Sequence, residues 1–340
     1  MAQQKRTLGW GLIGASTIAR QYVIPAINAQ PHSRAVAVMS RSAERGKQFA
    51  AQNNLARSYD SVAALLQDSE IDVVYISSTN ERHKEETLAA VRAGKHVLCE
   101  KPLALRLADA LEMVAACRAA GVVMGTNHHL RNAVTHRTLR RLLGEGAIGT
   151  PLGVRVFHAV YLPEHLQTWR IKDPQTGAGV ILDITVHDTD TLRFILNDEV
   201  DEVTAISAQQ GMAEGALEDA VMGVMQFRRG TLAQFHDAFT VRHANTGLQI
   251  FGTAGTLLAE DVMTQRPIGK ISLLRNNHLE AVALDEPEDL YTRAVRLFNQ
   301  AVHGEGEPSA TGEDGVRSLA VALAVLESTQ TGRRVVVSYQ

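Results

Sequence analysis

The sequence predicts an α/β protein in which a parallel sheet, wound on both faces by helices, is followed by a second domain with antiparallel strands. Short apolar runs alternate with helical segments through the first third, as in parallel sheets covered on both faces. After about Asn127 the strands lengthen and alternate between apolar and polar residues, which is typical of antiparallel sheets. At 340 residues the chain is long for one domain, and we predict domains of residues 1–127 and 128–340.

The elements of the first domain follow from apolar runs and from the residues that end them. Gly94 and Gly121 lie just past two helical segments, where a left-handed residue commonly ends a helix. The predicted strands are Leu8–Ile13, Ala35–Met39, Val73–Ser77, His96–Cys99 and Val122–Gly125. The predicted helices are Ile18–Ala29, Ala43–Asn53, Val62–Leu66, Lys84–Ala93 and Ala108–Ala119.

The second domain combines alternating strands, glycine turns and long helices. Turns at Gly230 and Gly255 separate successive strands. The predicted strands are Gly153–Tyr161, Val221–Phe227, Leu232–Phe239, Gln249–Phe251 and Thr256–Ala259. The predicted helices are Ala133–Leu143, Gly179–Leu196, Leu290–Val302 and Asp314–Thr331. No element is predicted for residues 200–216 and 275–288.

Composition narrows the class of protein. With a net charge of −3, the chain lacks the excess of basic residues that is typical of proteins that bind nucleic acid or an anionic membrane. No apolar run approaches the ~18 residues of a membrane span. The chain has only two cysteines, Cys99 and Cys117, too few for a disulfide framework or a zinc site. We therefore expect a cytoplasmic protein that binds neither nucleic acid nor membrane.

The segment after the first strand has the character of a phosphate cradle. The dinucleotide-binding fingerprint needs small residues at the strand-to-helix turn, at the closest approach to the pyrophosphate and at the helix–strand contact. Gly14, Ser16 and Ala19 occupy these positions, so two of the three usual glycines are replaced. The opening of the helix would offer free N–H groups to an anion. An ordinary strand-to-helix turn is the alternative.

The end of the second strand indicates which dinucleotide would fit. NAD-dependent proteins usually place Asp or Glu there to bind the ribose 2′-hydroxyl. This chain has Ser40 and Arg41, with Arg45 nearby, and no carboxylate at the strand end. Guanidinium groups and a hydroxyl suit a 2′-phosphate, so NADP(H) is favoured over NAD(H). The alternative is that both arginines are merely solvated.

Two further strand ends carry polar groups. Ligands of open α/β sheets lie beyond the carboxyl ends of the strands, where Ser78 and its neighbours follow one strand and Glu100-Lys101-Pro102 follows another. Lys101 could donate to a carbonyl oxygen and stabilise developing alkoxide charge. A plain loop and a surface lysine before a rigid turn are the alternatives.

Asp183 and His187 lie four residues apart in the predicted helix Gly179–Leu196. This spacing places both side chains on one helical face, with Cβ atoms about 5–6 Å apart. Their neighbours are largely apolar, and histidine can transfer a proton near neutral pH. The alternatives are a structural ion pair and a metal site. Since no third ligand is evident, no metal is predicted.

These residues resemble the motifs of the glucose–fructose oxidoreductase / inositol dehydrogenase / MocA family. The similarity covers nearly the whole chain and includes the cradle, Glu-Lys-Pro, the Asp-x-x-x-His helix and the turn at Gly252–Gly255. It implies an N-terminal NADP-binding Rossmann domain, followed by a substrate-binding α/β domain with a large open, mainly antiparallel sheet. It also implies that NADPH delivers hydride to the carbonyl of a small-molecule keto-sugar.

The resemblance assigns roles to individual residues. Lys101, Asp183 and His187 would be catalytic and would bind substrate together with Tyr291, while either Lys101 or His187 donates the proton. One departure is Arg41, which stands where a small hydroxyl residue is expected and would strengthen the NADP preference. The implied cofactor-binding residues are Gly14, Ala15, Ser16, Thr17, Ile18, Ala19, Ser40, Arg41, Arg45, Ser78, Thr79, Asn80, Glu81, His83, Glu100, Lys101, Asn127, Trp169 and Arg170.

Other functions remain open at this point. One is another NAD(P)-dependent sugar or polyol dehydrogenase of the same family, and a second is a non-catalytic NADP-sensing regulator. The complete Lys/Asp/His set weighs against the regulator. Members of the family often pair through the open sheet, so a homo-oligomer is a further expectation.

Overall fold

The structure, a computed structural model, describes residues 6–340, which fold into two compact units. The first unit extends to His128 and includes Tyr291–Val316, and the second comprises His129–Leu290 and Arg317–Gln340. Tyr291–Val316 therefore packs with the first unit, although the predicted boundaries assign it to the second domain. The assignment of cofactor binding and substrate binding to residues 1–127 and 128–340 stays a prediction.

A six-stranded parallel sheet forms the centre of the first unit, with strand order β3-β2-β1-β4-β5-β6. Every neighbouring pair is parallel, which confirms the predicted doubly wound sheet. The short strand β3 escaped prediction because its residues are polar and half-buried and form no apolar run. The strands are β1 Leu8–Ile13, β2 Ser33–Met39, β3 Arg57–Tyr59, β4 Val73–Ile76, β5 His96–Cys99 and β6 Met124–Thr126.

A nine-stranded sheet forms the second unit, with strand order β14-β13-β12-β11-β7-β10-β9-β8-β15. Only β7 and β10 pair in parallel, so the predicted mainly antiparallel sheet is confirmed. Strands β8 and β14 lie in the segments for which no element was predicted. The strands are β7 Pro151–Ala159, β8 Val200–Ala208, β9 Ala220–Phe227, β10 Leu232–Ala238, β11 Gly247–Gly252, β12 Thr256–Glu260, β13 Lys270–Arg275, β14 His278–Ala281 and β15 Val335–Val336.

Two of the helical segments begin with π-helical turns instead of regular α-helix. Ala19–Val23 precedes α1, and Ile181–Thr185 precedes α7, where one continuous helix was predicted. No helix within residues 6–340 combines the length and the apolarity that crossing a bilayer requires. The α-helices are α1 Ile24–Asn28, α2 Ala43–Gln52, α3 Val62–Leu66, α4 His83–Arg92, α5 Leu107–Ala119, α6 Val134–Gly144, α7 Val186–Leu196, α8 Leu290–Val302 and α9 Gly312–Thr331.

Aromatic packing fixes α8 within the first unit. Trp10 of β1 is fully buried and meets Phe298 with ring centroids 5.4 Å apart. Gly125 of β6 leaves room for the same ring, since a Cβ there would lie 3.1 Å from Phe298. A helix distant in sequence thus completes the core of this unit.

Candidate functional site

The cradle between β1 and the first helical turn depends on a glycine. Gly14 has a φ of +110°, and a Cβ there would lie 2.9 Å from the carbonyl group of Ser77. The Ser16 hydroxyl accepts a hydrogen bond from the Ala19 N–H at 3.1 Å and lies 2.8 Å from the Ser77 hydroxyl. Glycine at position 14 therefore lets the cradle backbone lie directly against the start of the loop after β4. The remaining predicted cradle residues, Ala15, Thr17 and Ile18, lie in the same turn.

Basic and hydroxyl side chains lie beside the cradle at the end of β2. Arg45 donates from Nη2 to the Ala15 carbonyl at 2.6 Å, which brings its guanidinium to the cradle backbone. Ser42 caps α2 by accepting from the Arg45 N–H. Ser40 is buried immediately after β2, whereas Arg41 is exposed. The structure thus brings Arg45 to the cradle and leaves the Arg41 side chain accessible.

A buried histidine joins two strand-end loops. The ring nitrogens of His83 lie 3.0 Å from the Pro102 carbonyl oxygen and 3.3 Å from that of Ser78. Burial lowers the pKa of His83. This histidine, predicted to contact the cofactor, thus fixes the loop after β4 against the cis Lys101–Pro102 turn after β5. The remaining predicted residues of the first loop are Thr79, Asn80 and Glu81, where the Thr79 hydroxyl donates to the Glu81 carboxylate.

Glu100 is held by a hydrogen-bond network directly before Lys101. Its Oε1 accepts from the Tyr75 hydroxyl at 2.5 Å and from the Asn127 amide at 2.6 Å, and its Oε2 accepts from the Lys101 N–H at 3.3 Å. Burial raises the pKa of Glu100, while both side-chain donors oppose that shift. Sequence analysis missed Tyr75 because it lies inside an apolar strand. The network fixes the backbone from which Lys101 projects.

Tyr291 lies in α8 and belongs to the first unit. Its side chain is buried and stacks on Tyr22, with ring centroids 4.7 Å apart and planes inclined by 26°. The predicted contact of Tyr291 with substrate stays a prediction.

Asp183 and His187 flank the junction between the π-helical turn and α7 in the second unit. The Asp183 carboxylate lies 3.6 Å from Nε of Arg170, whose guanidinium lies 4.6 Å from the centre of the Trp169 ring. The structure thus groups Asp183 with Trp169 and Arg170, which were predicted to line the cofactor. His187 is largely buried and meets the ring of His129 edge-on, with centroids 4.9 Å apart.

Glu218 holds the start of the π-helical turn. Its Oε1 accepts from the Ile181 N–H at 3.2 Å, and its backbone carbonyl accepts from the Val180 N–H. Gly179 has a φ of +106°, and a Cβ there would lie 2.2 Å from Glu218 Oε1. Burial raises the pKa of Glu218. Nothing in the local sequence relates Glu218 to a turn almost forty residues earlier.

Buried charges secure the remainder of α7. Arg131 forms two hydrogen bonds of 2.7 Å with the two carboxylate oxygens of Asp190, and both side chains are buried. Arg193 likewise forms two hydrogen bonds with the Glu199 carboxylate, of 2.6 and 2.9 Å. These pairs fix the helix because removing one partner would leave a buried charge uncompensated.

The predicted site residues thus fall into two groups. Lys101 belongs to the first unit, at the carboxyl edge of the parallel sheet, and Asp183 and His187 belong to the second. A sheet of order 3-2-1-4-5-6 with a glycine cradle after β1 defines a dinucleotide-binding protein.

Two family models match the chain. The oxidoreductase family with an NAD-binding Rossmann fold covers residues 8–128, and the GFO/IDH/MocA C-terminal domain covers residues 136–258. The chain therefore belongs to the GFO/IDH/MocA family and is an oxidoreductase. This confirms the family, the fold class and the enzymatic nature that the sequence predicted.

Individual relatives support a sugar reductase. A 1,5-anhydro-D-fructose reductase from Ensifer adhaerens is 56% identical over 95% of this chain and 97% of its own. An aldose–aldose oxidoreductase from Caulobacter crescentus, complexed with glycerol, shares the fold with a TM-score of 0.89 at 24% identity, covering 98% and 100% of the two chains. A 3-ketoreductase from Actinomadura kijaniata, in complex with NADP and TDP-benzene, has a TM-score of 0.85 at 25% identity, with 95% and 98% covered.

Proposed function

We propose that this protein is an NADPH-dependent reductase that transfers hydride to the carbonyl of a keto-sugar. The substrate we assign is 1,5-anhydro-D-fructose, reduced to 1,5-anhydro-D-mannitol. The observation that carries this proposal is the 56% identity to the Ensifer reductase over almost the full length of both chains. The lysine at the carboxyl edge of the parallel sheet and the Asp183–His187 pair supply the chemistry that such a reduction needs.

The cofactor preference rests on the surroundings of the cradle. The described chain places no carboxylate at the end of β2, where an NAD-dependent enzyme would bind the ribose. Arg45 reaches the cradle backbone and Arg41 is exposed beside it. The NADP found in the Actinomadura 3-ketoreductase supports the same preference. The turn at Gly14 has the glycine and the small neighbours that a pyrophosphate-binding turn needs, and a Cβ at Gly14 would displace this turn from the Ser77 backbone.

The residues of this chain then have distinct roles. NADPH supplies the hydride when it is bound. Lys101 hydrogen-bonds the carbonyl oxygen and stabilises the alkoxide charge that develops there. His187 also binds this oxygen, and either His187 or Lys101 supplies its proton. Asp183 orients a sugar hydroxyl, and the Arg170 guanidinium lies 3.6 Å from its carboxylate.

Oxidation of a sugar or polyol by the same family of enzymes is the second candidate. It is favoured by a myo-inositol 2-dehydrogenase from Thermotoga maritima that is 27% identical over 86% of this chain and 87% of its own. The missing acidic ribose clamp argues for NADPH and hence for reduction.

Steady-state kinetics distinguish the two candidates. The purified enzyme is given NADPH or NADH with 1,5-anhydro-D-fructose and a panel of other keto-sugars, and NADP⁺ or NAD⁺ with polyols. We expect the highest kcat/KM for NADPH with 1,5-anhydro-D-fructose. A higher value for any polyol oxidation, or equal use of NADH, contradicts the proposal.

Pairing of two copies through the nine-stranded sheet is part of the proposal. Strand register places exposed apolar side chains on one face, including Ile206, which is 78% exposed, and Met222, which is 50% exposed. An apolar face of this kind marks an interaction surface. Gel filtration with light scattering tests it, since Ile206→Lys should shift a dimer towards monomer. The other exposed apolar residues on this face are Val224, Leu232, Phe251, Leu274, Leu279 and Val336.

We also propose a cytoplasmic location. Cys99 and Cys117 are both free and buried, which suits a reducing compartment. Fractionation of the source cells with an antibody to the protein tests this location.

A further inference from the structure

A cluster of titratable groups lies on the inner face of the second sheet, against the segment that carries Asp183 and His187. Asp237 of β10 and His158 of β7 are direct neighbours in the parallel strand pair. Asp188 of α7 and Thr185 of the π-helical turn project onto these two residues. Both carboxyl groups are fully buried. None of the four residues was predicted to be functional, and the proposed mechanism uses none of them.

The hydrogen bonds of the two carboxyl groups leave one oxygen of each group without a donor. Asp188 Oδ1 lies 2.6 Å from His158 Nδ1, and Asp237 Oδ2 accepts from the Thr185 hydroxyl at 2.6 Å. The other two oxygens, Asp188 Oδ2 and Asp237 Oδ1, find no N–H or hydroxyl donor within residues 6–340. Asp237 is the register neighbour of His158, whose ring binds Asp188, so both of these oxygens belong to carboxyl groups that lie beside the same ring. Two carboxyl groups can share a hydrogen bond only if one of them carries the proton.

Among the described residues, His158 is a neighbour that can carry a compensating charge, but it lowers the pKa of Asp237 less than burial and the Asp188 charge raise it. His136 of α6 faces His158, and burial lowers its pKa to about 4, so it is neutral at physiological pH. On the opposite side of β10, Asp237 pairs with Val221. Two adjacent carboxylates would be strongly disfavoured where both side chains are fully buried.

We propose that Asp188 and Asp237 share a single proton, held by Asp237, and that this pair is a positioning device for His187. The Asp237 hydroxyl donates to Asp188, and Asp188 receives the His158 N–H as well. All four carboxyl oxygens then have a partner. Thr185 connects the π-helical turn to Asp237 of β10. Asp188 connects α7 to His158 of β7. Asp183 and His187 project from this anchored segment.

The pKa values agree with this location of the proton. Burial raises the pKa of Asp188 to about 7, and burial together with the nearby Asp188 charge raises the pKa of Asp237 well above its usual range. A carboxyl group with a raised folded pKa retains a proton that the unfolded chain loses above about pH 4. Its contribution to stability is therefore complete at low pH and is lost as the pH rises towards the folded pKa.

Asp237→Asn tests the protonation because an amide replaces the protonated carboxyl with the same shape. Its N–H₂ can donate to Asp188 and its oxygen can accept from Thr185. We expect the melting temperature of the variant, minus that of the wild type, to increase steadily between pH 5 and pH 9. We also expect the variant to lose the infrared carbonyl band of a protonated carboxyl group. A flat difference with an unchanged infrared spectrum overturns the shared proton.

Enzyme kinetics test the positioning role, which rests on the proposed function. We expect Asp237→Asn to keep kcat within about threefold of the wild type. We expect Asp237→Ala to lower kcat at least 30-fold and to leave the Kd of NADPH unchanged, because the cradle lies in the first unit. Equal loss in the Asn and Ala variants, or wild-type turnover in the Ala variant, overturns positioning.

Asp188→Asn shows which member of the pair holds the charge. It removes the carboxylate that accepts from His158, so kcat should fall further than in Asp237→Asn. A larger fall in Asp237→Asn instead overturns the assignment of the proton to Asp237. The melting and infrared experiments need no substrate. They therefore report on the proton pair even if the wild type fails to reduce any keto-sugar.

Discussion

The carboxyl edge of the parallel sheet and the π-helical segment of the second unit build their functional surfaces in opposite ways. At the sheet edge, the cradle consists of backbone groups and small residues, and Gly14 lets this turn lie against the Ser77 backbone. In the π-helical segment, Asp183 and His187 are long polar side chains whose positions depend on buried partners such as Glu218 and Asp190. The shape of the cradle depends on the backbone conformation. The segment that carries Asp183 and His187 depends instead on buried charged side chains that hold it in place.

This difference predicts how each region responds to mutation. The cradle should be disrupted by substitutions that add atoms next to its backbone. The segment with Asp183 and His187 should be disrupted by substitutions that remove side-chain atoms. The sheet edge also carries Lys101, whose side chain has the proposed catalytic role. Substitutions in the two regions should therefore separate cofactor binding from turnover.

The largest effect is expected from Lys101→Met. Methionine keeps the approximate length of the side chain and removes the donor and the charge. Loss of alkoxide stabilisation should lower the rate of single-turnover hydride transfer about 10³-fold or more. The rate is followed by the absorbance of bound NADPH after mixing with 1,5-anhydro-D-fructose. Lys47→Met, at an exposed position of α2, is the control and should transfer hydride at the wild-type rate. Robust transfer by the Lys101 variant would refute its catalytic role.

His187→Ala should reduce turnover and leave the first region unaffected. Loss of a positioned acid–base group costs about 10²–10⁴ in kcat. The Kd of NADPH, measured by fluorescence titration, should remain close to that of the wild type. His165→Ala removes an exposed histidine of the same unit and should leave kcat unchanged. Wild-type turnover of His187→Ala across pH 5–9 would mean that the helix pair is structural.

Gly14→Ala tests the backbone character of the cradle. The added Cβ requires an unfavourable φ and also meets Ser77, which should cost roughly 2–4 kcal/mol of unfolding free energy and weaken NADPH binding. Gly94→Ala is a matched control, because Gly94 has a φ of +67° and open space around its Cβ position. That control should cost only about 1 kcal/mol and leave NADPH affinity intact. Urea unfolding and NADPH titration of both variants measure the difference, and equal behaviour would exclude a close approach at Gly14.

Arg41→Ala should have the smallest effect of the four and the most selective one. Removing a hydrogen bond to a charged phosphate should cost roughly 1–3 kcal/mol in NADPH affinity and little in NADH affinity. Fluorescence titration with both reduced cofactors measures the change. If both affinities fall equally, the 2′-phosphate is not recognised at Arg41.

Local pattern was sufficient for most of the fold. Strands β1 and β5 and helices α3 and α8 have the predicted bounds, because their apolar periods and flanking residues are local properties. The prediction for the segment around Ile181 was wrong. The sequence indicated one regular helix, whereas the structure widens its first turn into π-helix. The Glu218 carboxylate that receives the N–H of Ile181 comes from a distant segment, so no local pattern contains it.

The same division applies to the functional residues. The sequence by itself determined the cradle at Gly14, the lysine after β5 and the Asp183–His187 pair, because each depends on spacing within a few residues. Only the tertiary structure decided what surrounds them, such as Tyr75 on Glu100 and the partnership of Asp188 with Asp237. Burial and a carboxyl neighbour on helix α7 raise the pKa of Asp237, and both arise only when segments almost fifty residues apart pack together.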